Sequence, residues 1–130
     1  MTTEQVFAWV KTLATKATNY YCGTLNDKKE KSFGIYQLKE SRARAVALGK
    51  ATKTGTKGIS ILVHWNSSTR ETETVAASLY DCIAAAVTPT IGTHKVNYIQ
   101  LLHDEPIDVG HDENGICERV IELVIYYERS

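Results

Sequence analysis

The chain has 130 residues, of which 43% are hydrophobic and 23% charged, and its formal net charge at pH 7 is zero. This length predicts a single domain over residues 1–130 with room for a hydrophobic core. The balanced charge excludes binding driven by a uniformly basic or acidic chain, so a charged partner would have to meet a local patch. The sequence shows no signal-peptide pattern and no apolar run of the roughly 18 residues that a membrane span needs, so we expect no membrane association.

Three cysteines, Cys22, Cys82 and Cys117, lie far apart and form no CxxC pair. In a chain without a secretory signal, this pattern predicts reduced thiols that are mostly buried. We therefore expect them to have no metal-binding or catalytic role.

The first half of the chain begins with a predicted helix over residues 3–17. Thr2 and Gln5 match a capping box, in which a hydroxyl and an amide satisfy backbone N–H groups at the start of the helix. The apolar residues follow one helical stripe: Val6, Trp9, Val10, Leu13 and Ala17. Short strands are predicted next, at residues 19–25, 33–38 and 44–48.

Residues 49–58 combine glycines, lysines and threonines in the order GKATKTGTKG. A phosphate-binding P-loop requires GxxxxGK[ST] ahead of a helix, whereas Gly55 is followed by threonine and then by a predicted strand. We therefore interpret the segment as a solvated, hairpin-like loop. Its lysines remain candidates for contact with an acidic surface or nucleic acid during assembly: Lys50, Lys53 and Lys57.

Residues 59–65 alternate apolar and more polar side chains, which predicts a strand with one apolar face. His64 lies on the more polar face and has no histidine, cysteine or carboxylate near it in sequence, so we expect it to be structural or exposed. A second helix is predicted over residues 69–87, with Ser68 and Glu71 as its capping box and Cys82 in its buried stripe.

The last third of the chain holds two apolar runs, residues 96–102 and 116–127, which are predicted to pair as strands. The connector between them contains possible metal ligands: His103, Asp104, Asp108, His111, Asp112, Glu113 and Asn114. Their spacing breaks the EF-hand pattern, and a zinc site from two histidines would need a third ligand placed by the fold. We expect a solvated connector without metal or cofactor, and Asn114-Gly115 as a tight turn.

These elements predict an α+β domain. The sequence contains no local Ser/His/Asp or Cys/His signature, so we expect no enzyme activity. Basic residues do not interleave with aromatic ones along any one element, which gives little support for sequence-specific nucleic-acid recognition.

Residues 105–123 carry a resemblance to a known family. The segment runs from a P-x-x-V-G-x-D-x-x-G connector, beginning at Pro106, into the strand Glu118-Arg119-Val120-Ile121-Glu122-Leu123. In these motifs the chain resembles the phage minor capsid family related to the tail terminators of long-tailed bacteriophages. The motif Gly34-Ile35-Tyr36-Gln37 and the Thr/Glu-rich start of the second helix agree with it.

The resemblance implies two helices packed on one face of a mainly antiparallel sheet of about five strands. It also implies a structural protein of the virion, assembled in the host cytoplasm. Such proteins form rings, commonly hexamers, that cap the tail tube, stop its polymerisation and join the tail to the head. The expected partners are copies of the same chain, the tail tube protein and the head-completion protein, while DNA only passes through. A ring of this kind needs head-to-tail contacts that close on themselves.

Alternation along the last strand suggests where assembly contacts lie. One face is more apolar and is predicted to carry the helices. The other face carries three glutamates: Glu118, Glu122 and Glu128. We expect these to face the ring lumen, where negative charge would repel the DNA backbone, or to face the next subunit; an ordinary solvated sheet face is the alternative. The lysine loop is the candidate for touching the tail tube.

Two rival functions remain open. A head-completion or connector protein would also form a ring, but on the portal side. A small ligand-binding domain or enzyme of the host would instead be expected as a monomer with a deep polar pocket.

Overall fold

The computed structural model describes residues 1–13, 17–24, 29–38, 54–86 and 88–128. Within them two helices and seven strands form an α+β fold, as predicted. In chain order the elements are α1 (Thr3–Leu13), β1 (Asn19–Cys22), β2 (Ser32–Gln37), β3 (Thr54–His64), α2 (Thr69–Ala85), β4 (Thr90–Ile91), β5 (His94–Leu101), β6 (Ile107–His111) and β7 (Cys117–Glu128).

The strands form one mixed sheet in the order β1-β2-β3-β7-β5-β4, and β6 also pairs with β7. β1 runs parallel to β2, whereas the other pairings are antiparallel. The prediction of about five strands is therefore wrong. The sequence patterns missed β4 and β6 because two residues are too few to show alternation, and because β6 lies inside the polar connector.

The central pair of the sheet is β3 with β7. Eleven consecutive residue pairs join them, with Ile61 opposite Ile121 and His64 opposite Glu118. β5 and β6 lie one after the other along the far side of β7, with β5 beside residues 123–127 and β6 beside residues 117–120. β7 is thus bonded on both sides along most of its length.

α1 starts with the predicted capping box. The Thr2 hydroxyl accepts from the Gln5 backbone N–H at 3.1 Å, and the Gln5 side-chain oxygen accepts from the Thr2 backbone N–H at 2.9 Å. Val6 and Val10 face the sheet and are fully buried. The helix lies against β1, β2 and β4.

The α2 cap differs from the predicted box by one partner. The Ser68 hydroxyl accepts from the Glu71 backbone N–H at 3.2 Å, but the Ser68 N–H donates to Asn66 instead of Glu71. The Glu71 carboxylate accepts from the indole N–H of Trp65 at 3.3 Å. Hydrogen bonds from Asn66 and then from Trp65 hold the pKa of Glu71 below its ordinary value.

The core lies between the two helices and one face of the sheet, which we call the helix face. It consists of alternate residues of the strands with the buried residues of both helices, among them Val6, Val10, Phe33, Ile35, Ile59, Ile61, Val63, Leu79, Ile83, Ile121, Leu123 and Ile125. The apolar side of β7 is therefore the side that carries the helices, as its alternation predicted.

The segment at residues 49–58 is not a loop throughout. Residues 54–58 belong to β3, and Gly55 there is buried against Tyr127, whose ring would lie 2.7 Å from a Cβ at that position. Lys57 lies in the strand and is half-buried. Lys50, Lys53 and the predicted strand at residues 44–48 lie outside the described residues.

The three thiols are free, but the prediction that they are mostly buried is wrong. Cys22 and Cys82 are exposed and Cys117 is half-buried. The buried stripe of α2 runs through Thr72, Ala76, Leu79 and Ile83, which places Cys82 on its solvent side.

Candidate functional site: a buried histidine between two carboxylates

The face of the sheet opposite the helices, which we call the outer face, carries the alternate residues of β7 that include the predicted glutamates. Since paired residues of neighbouring strands point to the same side, the outer face also carries His64 opposite Glu118 and Ser60 opposite Glu122. Glu118 and Glu122 both contact histidines, whereas Glu128 is exposed at the end of the strand.

At one end of the outer face His64 lies between two carboxylates. Its Nδ1 lies 2.8 Å from Oε2 of Glu118, and its Nε2 lies 3.6 Å from Oδ2 of Asp112. The His64 side chain is 0% exposed, while those of Asp112 and Glu118 are 16% and 20% exposed. We call these three residues the His64 cluster.

A tight turn fixes Asp112 in this position. Its Oδ1 accepts from the backbone N–H groups of Asn114 at 2.9 Å and Ile116 at 3.0 Å. Its backbone oxygen accepts from Gly115, whose φ of +77° lies in the left-handed region that favours glycine. Because Oδ1 is used by the turn, Oδ2 is directed at His64.

Four residues further along β7, near the middle of the strand, lies a second histidine–glutamate pair. His103 Nε2 lies 3.0 Å from Oε1 of Glu122, and the His103 side chain is 41% exposed. This pair resembles the contact of His64 with Glu118, but it is more open to solvent. Among the described residues, only the His64 cluster brings three potential metal-ligating groups together.

The electrostatic effect of Glu118 extends to Tyr36 on β2. Burial raises the pKa of Tyr36, and the negative charge of Glu118 raises it further. The outer face around Glu118 therefore disfavours additional negative charge.

The geometry limits the chemistry that the His64 cluster can perform. A histidine used as a general acid or base must reach the substrate directly or through one water. The His64 ring is completely covered, so a substrate could reach it only after the surrounding side chains moved.

Two other connector candidates, Asp108 and His111, do not join the cluster. Asp108 lies 3.6 Å from Arg119, and its other oxygen accepts from the Gly110 N–H. His111 is exposed on β6. The sequence patterns indicated Asp112 as a possible ligand and Glu118 as an assembly residue, but connected neither with His64.

The signal that could have found the cluster is the alternation of β3 and β7. Both His64 and Glu118 fall on the polar side of their strands. Only the register, which pairs Ile61 with Ile121, brings them together, and periodicity does not determine register.

No family model and no curated protein matches the chain. A solved structure that carries no functional name aligns with 98% of this chain and 89% of its own, at 14% identity and a TM-score of 0.41. A likeness of this degree supports no conclusion about fold or function.

Neither helix in the described parts of the chain combines the length and apolar character needed to cross a membrane.

Proposed function

We propose that this chain is a structural subunit of a bacteriophage virion that forms a ring on the tail tube, ends its polymerisation and joins tail to head. The sequence resemblance of residues 105–123 supports this role. The structural observation that carries the proposal is the position of the two large, exposed apolar side chains found among the described residues, Tyr98 and Val109, on the same edge of the sheet.

This edge is formed by β6 and by β5 beyond Lys95, which both pair with β7 from the same side, while β4 covers His94 and Lys95 at the start of β5. Tyr98 on β5 is 57% exposed and Val109 on β6 is 50% exposed. Exposed apolar groups at a sheet edge are a liability for a monomer and a typical feature of a contact with another chain. We assign the edge around Tyr98 and Val109 to the contact between neighbouring subunits.

We expect the contact between subunits to be made by side chains and not by backbone hydrogen bonds to an added strand. The pairing of β5 with β7 shifts register between Val96 and Tyr98, and that of β6 with β7 shifts between Asp108 and Gly110. Such irregularities interrupt the regular backbone groups that an added strand would need. Tyr98 lies beside Tyr126 and Val109 beside residues 118–119, so the two side chains mark two points along one edge, roughly 25 Å apart. An edge that meets a different surface of the next copy at both points would give the head-to-tail contact from which rings close.

The geometry refines the proposed role of the glutamates. Glu118 and Glu122 are each held by a histidine, so neither presents a fully free charge. Glu128 is the exposed member of the three, and we assign the repulsion of DNA in the lumen mainly to this residue. Contact of the tail tube with residues 49–58, including Lys50, Lys53 and Lys57, stays a prediction.

Electron microscopy of particles produced without this chain tests the proposal. We expect tail tubes of uncontrolled length beside filled heads, and rescue by the wild-type chain. The Tyr98→Ser/Val109→Ser double variant should fail to rescue, whereas Arg70→Ala, on the exposed side of α2, should rescue fully. Normal tail length with leaking or unfilled heads would instead assign the chain to the portal side, and normal particles would refute a role in assembly.

A further inference from the structure

Near the end of the sheet at which His64 lies, the two outermost strands carry opposite charges. One is β6, which follows a loop at residues 102–106; the exposed carboxylates of this loop and strand belong to Asp104, Glu105 and Asp108. The other is β1, beside the turn at residues 29–31, where Lys29 and Lys31 are exposed on either side of Glu30. We call these two regions the acidic edge and the basic edge.

The basic edge is open to a neighbour. Lys31 donates its backbone N–H to Trp65 at 2.7 Å and accepts at its backbone oxygen from Thr18 at 2.8 Å, which fixes the turn beside the start of β1. The ammonium group of Lys11 lies 5.4 Å from the centroid of the Tyr20 ring on this strand and adds a further positive charge. Among the described residues, no strand pairs with β1 on its side away from β2. The basic edge therefore combines positive charge with an open side of the sheet.

The acidic edge carries a projecting loop. Leu102 donates its N–H to the backbone oxygen of Glu122, and Ile107 lies opposite Val120. The chain thus takes five steps where β7 takes two, so the residues between must leave the line of the edge. The two acidic residues of this loop are exposed. They are therefore placed to meet another molecule at the edge.

The strand registers place the two charged groups at nearly the same height along the strands. One row across the sheet is formed by facing residues of five strands: Asn19, Ser32, His64, Glu118 and Gly110. Lys31 lies one residue to one side of this row, and Asp108 lies one residue to the other side. Their backbones differ in height by about 7 Å, which the long side chain of a lysine can span. A rotation about an axis parallel to the strands takes each copy to the next at unchanged height, so these groups of two copies can meet.

Apolar side chains follow the same rows. Tyr21 on the basic edge and Ile107 on the acidic edge lie at the two ends of a row whose middle members are Gly34, Leu62 and Val120. Both end residues are half-buried within one copy, and Val109, which is 50% exposed, lies two residues from Ile107. Contact of Tyr21 with Ile107 and Val109 would cover apolar surface that a single copy leaves in water.

We propose that the basic edge of one copy binds the acidic edge of the next. The lysines of the first face the carboxylates of the second, and Tyr21 packs against Ile107 and Val109. This inference rests on the proposed ring and identifies the second surface of its subunit contact. Two basic edges or two acidic edges repel each other, so the charges select the head-to-tail contact over a two-fold one. Each copy then uses both edges, as a closed ring requires.

Charge reversal tests the pairing of the edges, with sedimentation velocity as the measurement. Lys29→Glu/Lys31→Glu makes both edges acidic, and Asp104→Lys/Glu105→Lys makes both edges basic. Each double variant should stay monomeric at concentrations where the wild-type chain forms a closed assembly, because like charges then meet at the contact. The chain that carries all four changes should assemble again, since its two edges have exchanged sign.

Two control variants, Arg70→Glu and Asp81→Lys, reverse exposed charges on α2 and should assemble as wild type does. A Tm close to that of wild type verifies that each variant is folded. A wild-type assembly whose mass is unchanged by Lys29→Glu/Lys31→Glu, or a folded chain with all four changes that stays monomeric, would overturn the pairing of the edges and leave the proposed ring standing. A wild-type chain that is monomeric at every concentration would refute both.

Discussion

The two faces of the β3–β7 pair differ in chemistry at two pairs of facing residues, although both faces are built from alternate residues of the same strands. On the helix face Ile61 lies opposite Ile121, and both are buried in the apolar core. On the outer face His64 lies opposite Glu118, and the pair is joined by a short polar contact. The helix face therefore stabilises the fold through apolar packing, whereas the outer face carries ionisable side chains such as His64 and Glu118.

A second contrast lies within the outer face itself. Glu118 and Glu122 both contact a histidine, at 2.8 and 3.0 Å. The His64 ring is fully covered and has Asp112 on its other side, whereas His103 is 41% exposed. The candidate site differs from an ordinary surface pair in the burial of its histidine ring and in the presence of Asp112, and much less in its contact distance.

The largest loss of stability is expected from a substitution on the helix face. Ile61→Ala should lower the free energy of unfolding by about 3 kcal/mol, because it removes buried methyl groups and leaves a cavity. Urea denaturation measures the change. Ser60→Ala, one residue away and on the outer face, is the matched control and should change stability by less than about 1 kcal/mol. Equal losses of unfolding free energy in the two variants would contradict the conclusion that the helix face contributes more to stability.

An intermediate loss of stability is expected from a substitution at Glu118, beside the buried histidine of the outer face. Glu118→Ala removes the acceptor of the covered His64 ring and should lower the unfolding free energy by about 2 kcal/mol. Glu122→Ala removes the partner of an exposed histidine and should cost about 0.5 kcal/mol or less. The same denaturation experiment gives both values, and a larger loss for Glu122→Ala would reverse our ranking of the two pairs.

A smaller effect, visible at alkaline pH, is expected for Tyr36. Burial and the charge of Glu118 raise its folded pKa above the ordinary value of 10.0, so the folded state holds the phenolic proton more tightly than the unfolded state. The resulting stabilisation is complete below about pH 10 and is lost as pH rises through the folded pKa.

Tyr36→Phe should therefore make the unfolding free energy fall less steeply above about pH 10, as chemical denaturation at a series of pH values will measure. Parallel curves for wild type and variant would show that the phenol does not sense its surroundings on the outer face.

Local sequence patterns predicted much of the fold. The capping residue Thr2, the helical stripe that contains Val6 and Val10, and the two faces of β7 were all recognisable, because each depends on neighbours within a few residues. β6 was missed because its five residues are few, include a glycine and lie within a connector that is mostly polar.

The candidate site was predictable only in part. Glu118 and Asp112 were both noticed, but for different reasons and in different elements. Their meeting with His64 depends on the register of two strands 54 positions apart in sequence and on a turn that directs Oδ2 inward. Such long-range geometry leaves no periodic signal in one sequence.

The proposed virion role rests on the sheet edge that carries Tyr98 and Val109, and the mass of the assembly in solution tests it most directly. Sedimentation velocity of the purified wild-type chain over a range of concentrations should detect a closed species of more than two subunits. The Tyr98→Ser/Val109→Ser variant should remain monomeric, while Arg70→Ala should assemble as wild type does. A wild-type monomer at every concentration, a two-subunit assembly, or a ring of unchanged mass in the double variant would contradict the account.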